Sequence, residues 1–84
     1  MLINDVPISC IHQTAITYEV PALLIISVLK TENGRVGMAH KNKNGTYDYG
    51  PMQINTIWLP TLNKYDYTEK DIQYNAFGNI KIGT

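Results

Sequence analysis

The most constraining feature of the sequence is an apolar segment, Ala22–Leu29, which a chain of only 84 residues has to accommodate. This segment is apolar on nearly every side of a helix, and a helix of that kind belongs in the interior of its fold. Pro21 suits the first turn, because the missing N–H of proline has no partner there in any case. Gly34 is a suitable stop, so we predict a central helix from Ala22 to about Asn33.

The rest of the chain predicts shorter helices around a polar loop. Ser9 is a suitable N-cap for a helix over residues 10–19, and another helix falls within residues 51–62. Acidic residues follow Thr68, which is typical of a helix start. Between these helices, Asn44-Gly45 favours a tight turn. We therefore predict a mainly α fold with a polar loop or small hairpin around residues 40–50.

The composition excludes several classes of function. Seven Lys and Arg residues balance seven Asp and Glu residues, so the chain lacks the basic footprint of a nucleic-acid-binding protein. The longest apolar stretch, Val20–Leu29, is about half of the roughly 20 residues that a membrane-spanning helix needs. A single cysteine excludes an internal disulfide and a cysteine-rich zinc site. We predict no nucleic-acid partner, no membrane span, no metal and no cofactor.

The two ends of the chain also carry expectations. Residues 1–9 have no basic region followed by an apolar core, so no signal peptide is visible. Residues 79–84 have neither a helix stop nor the composition of a tail. We treat residues 1–84 as one domain and expect that domain to be incomplete.

Glu32 is the most informative candidate for chemistry. It follows Ile25 and Leu29 along one helical stripe, and it lies in the last turn of the predicted helix. Burial and the negative end of the helix dipole would both raise the pKa of its carboxyl group. A carboxylic acid kept protonated near neutral pH is what a general acid requires. The alternative is a helix-end carboxylate that reaches water or pairs with Lys30 or Arg35.

Asp48 is a candidate second carboxylate. It lies in a polar loop, so we expect it to stay ionised. A protonated acid facing an ionised carboxylate across a cleft is the arrangement that glycosidases use. The alternative is an aspartate that bonds to its own turn backbone, as is common in loops.

The segment after Asp48 carries groups that suit a sugar. Gln53 and Asn55 offer paired donors and acceptors for hydroxyl and N-acetyl groups. Trp58, Tyr47 and Tyr49 supply flat faces for sugar rings. A core turn with inward-facing aromatic side chains is the alternative.

Four stretches in order give the chain a recognisable pattern. They are Tyr18-Glu19-Val20-Pro21-Ala22-Leu23-Leu24, Glu32-Asn33-Gly34, Asn42-Lys43-Asn44-Gly45-Thr46-Tyr47-Asp48-Tyr49-Gly50 and Gly50-Pro51-Met52-Gln53-Ile54-Asn55. Together they closely resemble soluble lytic transglycosylase domains of bacteria, and above all the small branch associated with conjugation and type IV secretion. The resemblance covers nearly the whole chain and implies the N-terminal portion of a lysozyme-like fold.

The resemblance implies a peptidoglycan lytic transglycosylase. Such enzymes cleave between N-acetylmuramic acid and N-acetylglucosamine and leave a 1,6-anhydro end. Glu32 would be the general acid and then the base, and Gly50, Met52 and Gln53 would shape the floor of the glycan cleft. Asp48 matches the second carboxylate of lysozymes, which lytic transglycosylases generally lack. The resemblance also implies glycan strands and a conjugation or type IV secretion apparatus as partners, and a periplasmic or cell-wall location.

The chain also departs from the family pattern. Asn33 stands where larger relatives often have serine, and Pro51 stands where leucine or isoleucine is common. The chain ends where such domains continue for several more helices. A truncated, non-catalytic relative that binds glycan or a secretion-machinery partner is therefore the alternative function.

Overall fold

A computed structural model describes all residues, 1–84. The chain contains five short strands and five α-helices, and a single 3₁₀ turn precedes the third helix. In chain order the elements are β1 (Leu2–Ile3), β2 (Val6–Pro7), α1 (Ile8–Tyr18), α2 (Ala22–Glu32), β3 (Ala39–Lys41), β4 (Tyr47–Tyr49), β5 (Ile54–Asn55), the 3₁₀ turn (Thr56–Trp58), α3 (Leu59–Asn63), α4 (Glu69–Tyr74) and α5 (Ala76–Gly83).

The fold is mixed α/β, so the prediction of a mainly α, lysozyme-like fold is wrong. Helices take 52% of the chain and strands take 14%, in two antiparallel sheets. The strands are only two or three residues long. Such segments are too short for the alternating pattern that marks a strand in sequence.

The first sheet is a hairpin formed by the first seven residues. Strand β1 pairs antiparallel with β2, with Leu2 opposite Pro7 and Ile3 opposite Val6. Asn4 and Asp5 form the turn with φ values of 54° and 66°, as a type I′ turn requires, and asparagine and aspartate tolerate that conformation best after glycine. Val6 is fully buried, which anchors the hairpin in the core.

The second sheet has the order β3-β4-β5. Strands β3 and β4 pair with His40 opposite Asp48, so of the two predicted alternatives for residues 40–50, a polar loop or a small hairpin, the structure has the hairpin. Its turn includes Gly45 at a φ of 86°, where glycine carries no steric penalty. Strand β5 adds to β4 with Asp48 opposite Asn55.

The helix boundaries differ in detail from the sequence prediction. Helix α1 begins after Pro7 without a side-chain cap, so Ser9 is not the N-cap. Helix α2 ends at Asn33, which adopts the left-handed conformation one residue before the predicted stop at Gly34. The predicted start of α4 is confirmed, because Thr68 and Asp71 form a reciprocal capping box.

Helix α2 is less buried than its sequence predicts. Only Ile25 and Leu29 are buried, whereas Leu23 and Leu24 are 72% and 54% exposed. The helix therefore packs along one stripe instead of passing through the centre of the fold.

The core is a single cluster that joins both sheets to α1, α2, α4 and α5. The buried apolar residues are Val6, Ile11, Ala15, Ile25, Leu29, Tyr49, Met52, Ile54, Ile72 and Ile80.

No helix combines the length and the apolar character that crossing a membrane requires.

Candidate functional site

The largest cavity is an open cleft of about 460 Å³, which we call the α2 cleft. The exposed side of α2 forms one wall, and the segment around β5 forms the floor. The 3₁₀ turn, α3 and the end of α5 complete the rim. The lining residues are Val28, Glu32, Met52, Gln53, Ile54, Asn55, Trp58, Leu62, Ile82 and Gly83.

Glu32 lies in the wall of the α2 cleft, one helical turn after Val28. Its side chain is exposed, so it does not lie in the buried stripe that the sequence predicted. Ile25 and Leu29 of the same helix are buried, and Glu32 is at the edge of the stripe where the helix leaves the core. The burial on which the general-acid argument depended is therefore absent from the free protein.

Gly34 brings the end of α2 against the floor of the cleft. A methyl group on Gly34 would collide with the backbone oxygens of Gly50 and Pro51 and would crowd the Gln53 amide. Only glycine permits this approach of two backbone segments. The Glu32-Asn33-Gly34 stretch and the Gly50–Gln53 turn are thus in direct contact.

The Asn79 side chain anchors the Gly50–Gln53 turn through three hydrogen bonds. Its fully buried amide donates to the carbonyl oxygens of Tyr49 at 2.9 Å and Ile72 at 2.6 Å, and its Oδ1 accepts the N–H of Met52 at 2.8 Å. A side chain on Gly50 would collide with this amide, and Gly50 also has a φ of 71°. Asn79 therefore ties the turn to α4 and α5.

Gln53 presents an available acceptor to the α2 cleft. Its Nε2 donates to the carbonyl oxygen of Gly50 at 2.9 Å, and a longer contact of 3.5 Å reaches the carbonyl of Asp48. No protein donor reaches its Oε1, and the residue is half-buried. A fixed amide with a free carbonyl oxygen can accept a hydrogen bond from a hydroxyl or amide group of a ligand.

Trp58 supplies the aromatic surface of the α2 cleft. It lies at the end of the 3₁₀ turn, and its side chain is 58% exposed. A large aromatic ring that faces solvent beside polar groups is more typical of a binding surface than of a core. Of the three aromatic residues proposed from the sequence to face a sugar, Trp58 is the one that lines the cleft.

Asn55 lines the cleft, but its polar atoms are committed to the protein. Its Nδ2 donates to Thr46 Oγ1 at 3.1 Å and to Asp48 Oδ1 at 2.8 Å, and its Oδ1 accepts the N–H of Ile57 at 2.9 Å. Asn55 therefore caps the 3₁₀ turn that carries Trp58. Asp48 is half-buried in this network and does not line the cleft.

Tyr49 is buried and also lies outside the lining of the cleft. Its hydroxyl donates to Glu69 Oε1 at 2.8 Å, and its ring is nearly parallel to that of Tyr47 at a centroid distance of 6.0 Å. The hydrogen bond to Glu69, burial and the negative charge of Glu69 together raise the pKa of Tyr49 from 10.0 to about 12. Tyr49 thus links β4 to the first turn of α4.

The charge of the α2 cleft restricts its ligands. Glu32 is the single charged residue in the lining, and no lysine or arginine is present there. A cleft without cations offers no ion pair to a phosphate or another anion. No group of three or more histidine, cysteine, aspartate or glutamate side chains is placed to hold a metal ion. The arrangement therefore suits a ligand that combines an apolar face with hydrogen-bond donors.

The structure brings only part of the predicted site together. Glu32, Met52, Gln53 and Asn55 line the α2 cleft, Gly50 lies beneath it, and Asp48 and Tyr49 lie outside its lining. The sequence analysis missed Asn79, for which the available signal was an asparagine among the apolar residues of a helical segment.

Comparison with known proteins finds similarity to a bacterial protein. No protein-family model matches the chain. The chain is 40% identical over 63 residues to a protein of Escherichia coli O157:H7 described as a "peptidoglycan-binding-like protein". The match covers 73% of this chain and 38% of that protein, so the chain spans less than half the length of its relative.

Proposed function

We propose that this chain binds the glycan strands of peptidoglycan in the α2 cleft. The observation that carries the proposal is that one cleft is lined both by the exposed Trp58 ring and by Gln53, whose amide oxygen has no protein donor. The one charge in this cleft is Glu32. The similarity to a protein described as peptidoglycan-binding-like supports the same ligand class.

The chemistry of the cleft matches that of an amino sugar. The apolar face of a sugar ring packs on an aromatic ring, while its hydroxyl and N-acetyl groups need hydrogen-bond partners. Gln53 Oε1 is an acceptor for an N-acetyl N–H or a hydroxyl, and the Glu32 carboxylate is a second acceptor. A volume of about 460 Å³ is within the usual range for small-ligand sites.

Co-sedimentation with purified, insoluble peptidoglycan tests this proposal. We expect the chain to sediment with peptidoglycan and the Trp58→Ala variant to remain in solution, because the variant loses its aromatic surface. Tyr65→Ala is the matched control, since Tyr65 is 71% exposed and lies outside the cleft. Equal sedimentation of Trp58→Ala and the unmodified chain would contradict binding in this cleft.

A second candidate function is cleavage of the bound strand, as the resemblance to lytic transglycosylases implies. The observation in its favour is that the Glu32 carboxylate lines the same cleft as Gln53. In such a reaction Glu32 would protonate the leaving glycosidic oxygen and then accept the proton of the attacking muramic 6-hydroxyl. A bound glycan that covers Glu32 would supply the desolvation that the open cleft lacks.

Mass spectrometry of digested peptidoglycan distinguishes cleavage from binding. Cleavage would release 1,6-anhydro products, one water lighter than the products of hydrolysis, and Glu32→Gln would release none. Asp48→Asn is the matched control, because asparagine keeps the acceptor for Asn55 and Asp48 lies outside the cleft lining. A folded chain that binds peptidoglycan without releasing products would leave binding as the function.

A place beside a conjugation or type IV secretion apparatus, in the periplasm or cell wall, rests on the sequence resemblance alone. Fractionation of cells that express the protein tests the location directly.

A further inference from the structure

Asn4 bridges two carbonyl oxygens at the end of α2. Its Nδ2 donates to the carbonyl of Leu29 at 2.8 Å and to the carbonyl of Gly34 at 2.8 Å. The carbonyl oxygen of Leu29 also accepts the backbone N–H of Asn33 at 2.8 Å, so Asn4 adds a second donor to the last backbone hydrogen bond of α2. Asn4 is 25 residues from Leu29 in sequence, and it reaches the end of α2 from the turn of the β1–β2 hairpin.

The two bridged carbonyls flank Glu32. The segment from Leu29 to Gly34 contains the last turn of α2, and Asn4 fixes both ends of it with one amide group. Gly34 in turn contacts the Gly50–Gln53 turn, which belongs to the floor of the α2 cleft. The geometry therefore connects the hairpin, Glu32 and Gln53 in one chain of contacts.

The hairpin is a firm support for this bridge. Val6 is fully buried in the core, and Ile3 packs against the same cluster. A second link, between Asp5 and Arg35 at 3.1 Å, joins the same two segments. The two side chains of that ion pair are 42% and 66% exposed, so it contributes little.

We propose that Asn4 is a positioning residue of the α2 cleft, which holds Glu32 at a fixed place relative to Gln53 without touching the ligand. This inference rests on the proposed binding of glycan in the cleft. A cleft whose walls are held in place before binding loses less conformational entropy when the ligand binds, so its affinity is higher. Without the bridge, the segment that carries Glu32 becomes mobile and the affinity falls.

Two glycine substitutions in the same turn form a matched test. Asn4→Gly removes the bridge, while Asp5→Gly removes only the exposed ion pair with Arg35. Glycine tolerates the positive φ of both positions, so the turn itself is retained in each variant. Asn4→Asp is a second variant in case Asn4→Gly does not fold, because it keeps the shape of the side chain and removes its donors.

The first measurement is the backbone mobility of residues 29–34 in the free chain, from the ¹⁵N heteronuclear NOE. We expect increased nanosecond mobility and faster exchange of the Asn33 amide in Asn4→Gly and Asn4→Asp, and no change in Asp5→Gly. Unchanged mobility in both Asn4 variants overturns the inference, whether or not the chain binds glycan.

The second measurement is the affinity of the folded variants for a soluble N-acetylglucosamine–N-acetylmuramic acid oligomer. We expect about tenfold weaker binding for the Asn4 variants and a change within about twofold for Asp5→Gly. Equal affinities across all variants overturn the role of Asn4 in binding. If the unmodified chain does not bind the oligomer, both the proposed function and the role of Asn4 in binding are overturned. The mobility measurement then still tests whether the hydrogen bonds of Asn4 hold residues 29–34 in place.

Discussion

The side-chain oxygen of Asn79 accepts the backbone N–H of Met52 at 2.8 Å, although the two residues are 27 positions apart in sequence. Through this bond and its two donated bonds, one fully buried side chain joins the floor of the α2 cleft to the last two helices. The shape of the cleft therefore depends on a residue that does not line it.

Removal of the Asn79 side chain should be strongly destabilising. Asn79→Ala leaves the buried N–H of Met52 and the carbonyls of Tyr49 and Ile72 without their partner, and we expect a loss of about 2–4 kcal/mol in the free energy of unfolding. Urea denaturation followed by circular dichroism measures this loss. Asn63→Ala is the control, because Asn63 is an exposed helical residue. An equal loss of stability in the two variants would show that the three hydrogen bonds of Asn79 do not stabilise the fold.

Gly34 should tolerate no side chain, because a methyl group there meets the backbone of the Gly50–Gln53 turn. We expect Gly34→Ala to lower the free energy of unfolding by about 2 kcal/mol or more, since neither backbone segment can move without disturbing the core. Gly45→Ala is the matched control. Gly45 has a positive φ but open space around it, so its substitution should cost only about 1 kcal/mol. A thermal melt that ranks the two in the reverse order would argue against close contact between α2 and the turn.

Tyr49 should make stability depend on alkaline pH. The unfolded side chain loses its proton near pH 10, whereas the folded side chain keeps it until about pH 12. Between these values the unfolded state binds fewer protons than the folded state, so the free energy of unfolding falls as pH rises. Below pH 10 both states are protonated, and the contribution of Tyr49 is constant.

The difference between Tyr49→Phe and the unmodified chain isolates this effect from other groups that titrate in the same range. We expect the cost of the substitution to be largest below pH 10 and to shrink between pH 10 and 12. Tyr65→Phe, at an exposed position, should show no such change. A cost of Tyr49→Phe that stays constant up to pH 12 would contradict the hydrogen bond to Glu69.

The sequence predicted the parts of the fold that local chemistry determines. The helix start at Thr68 and the tight turn at Asn44-Gly45 follow from neighbouring residues, and both are present. The first hairpin was missed, although Asn4-Asp5 between Ile3 and Val6 is a recognisable turn signal. Its strands are two residues long and gave no periodicity, which is one reason why the fold was predicted as mainly α.

The site was less predictable because distant contacts determine it. Helical spacing predicted Glu32 on the buried stripe of α2, whereas its side chain is exposed in the wall of the α2 cleft. The hydrogen bond from Asn55 to Asp48 depends on the register of β4 and β5. The hydrogen bond from Tyr49 to Glu69 joins residues that are 20 positions apart in sequence. The predicted roles of Asn55 and Tyr49 in substrate binding stay predictions.

The most direct test of the central claim uses the fluorescence of Trp58, which is the single tryptophan in the chain. Titration with a soluble N-acetylglucosamine–N-acetylmuramic acid oligomer should change its emission in a saturable manner, because a sugar ring that covers the exposed indole removes water from it. Gln53→Ala should weaken the titration through loss of the acceptor. The result that would contradict the proposed function has two parts, both obtained with a folded chain. The emission of Trp58 does not change at saturating oligomer, and the chain does not bind intact peptidoglycan.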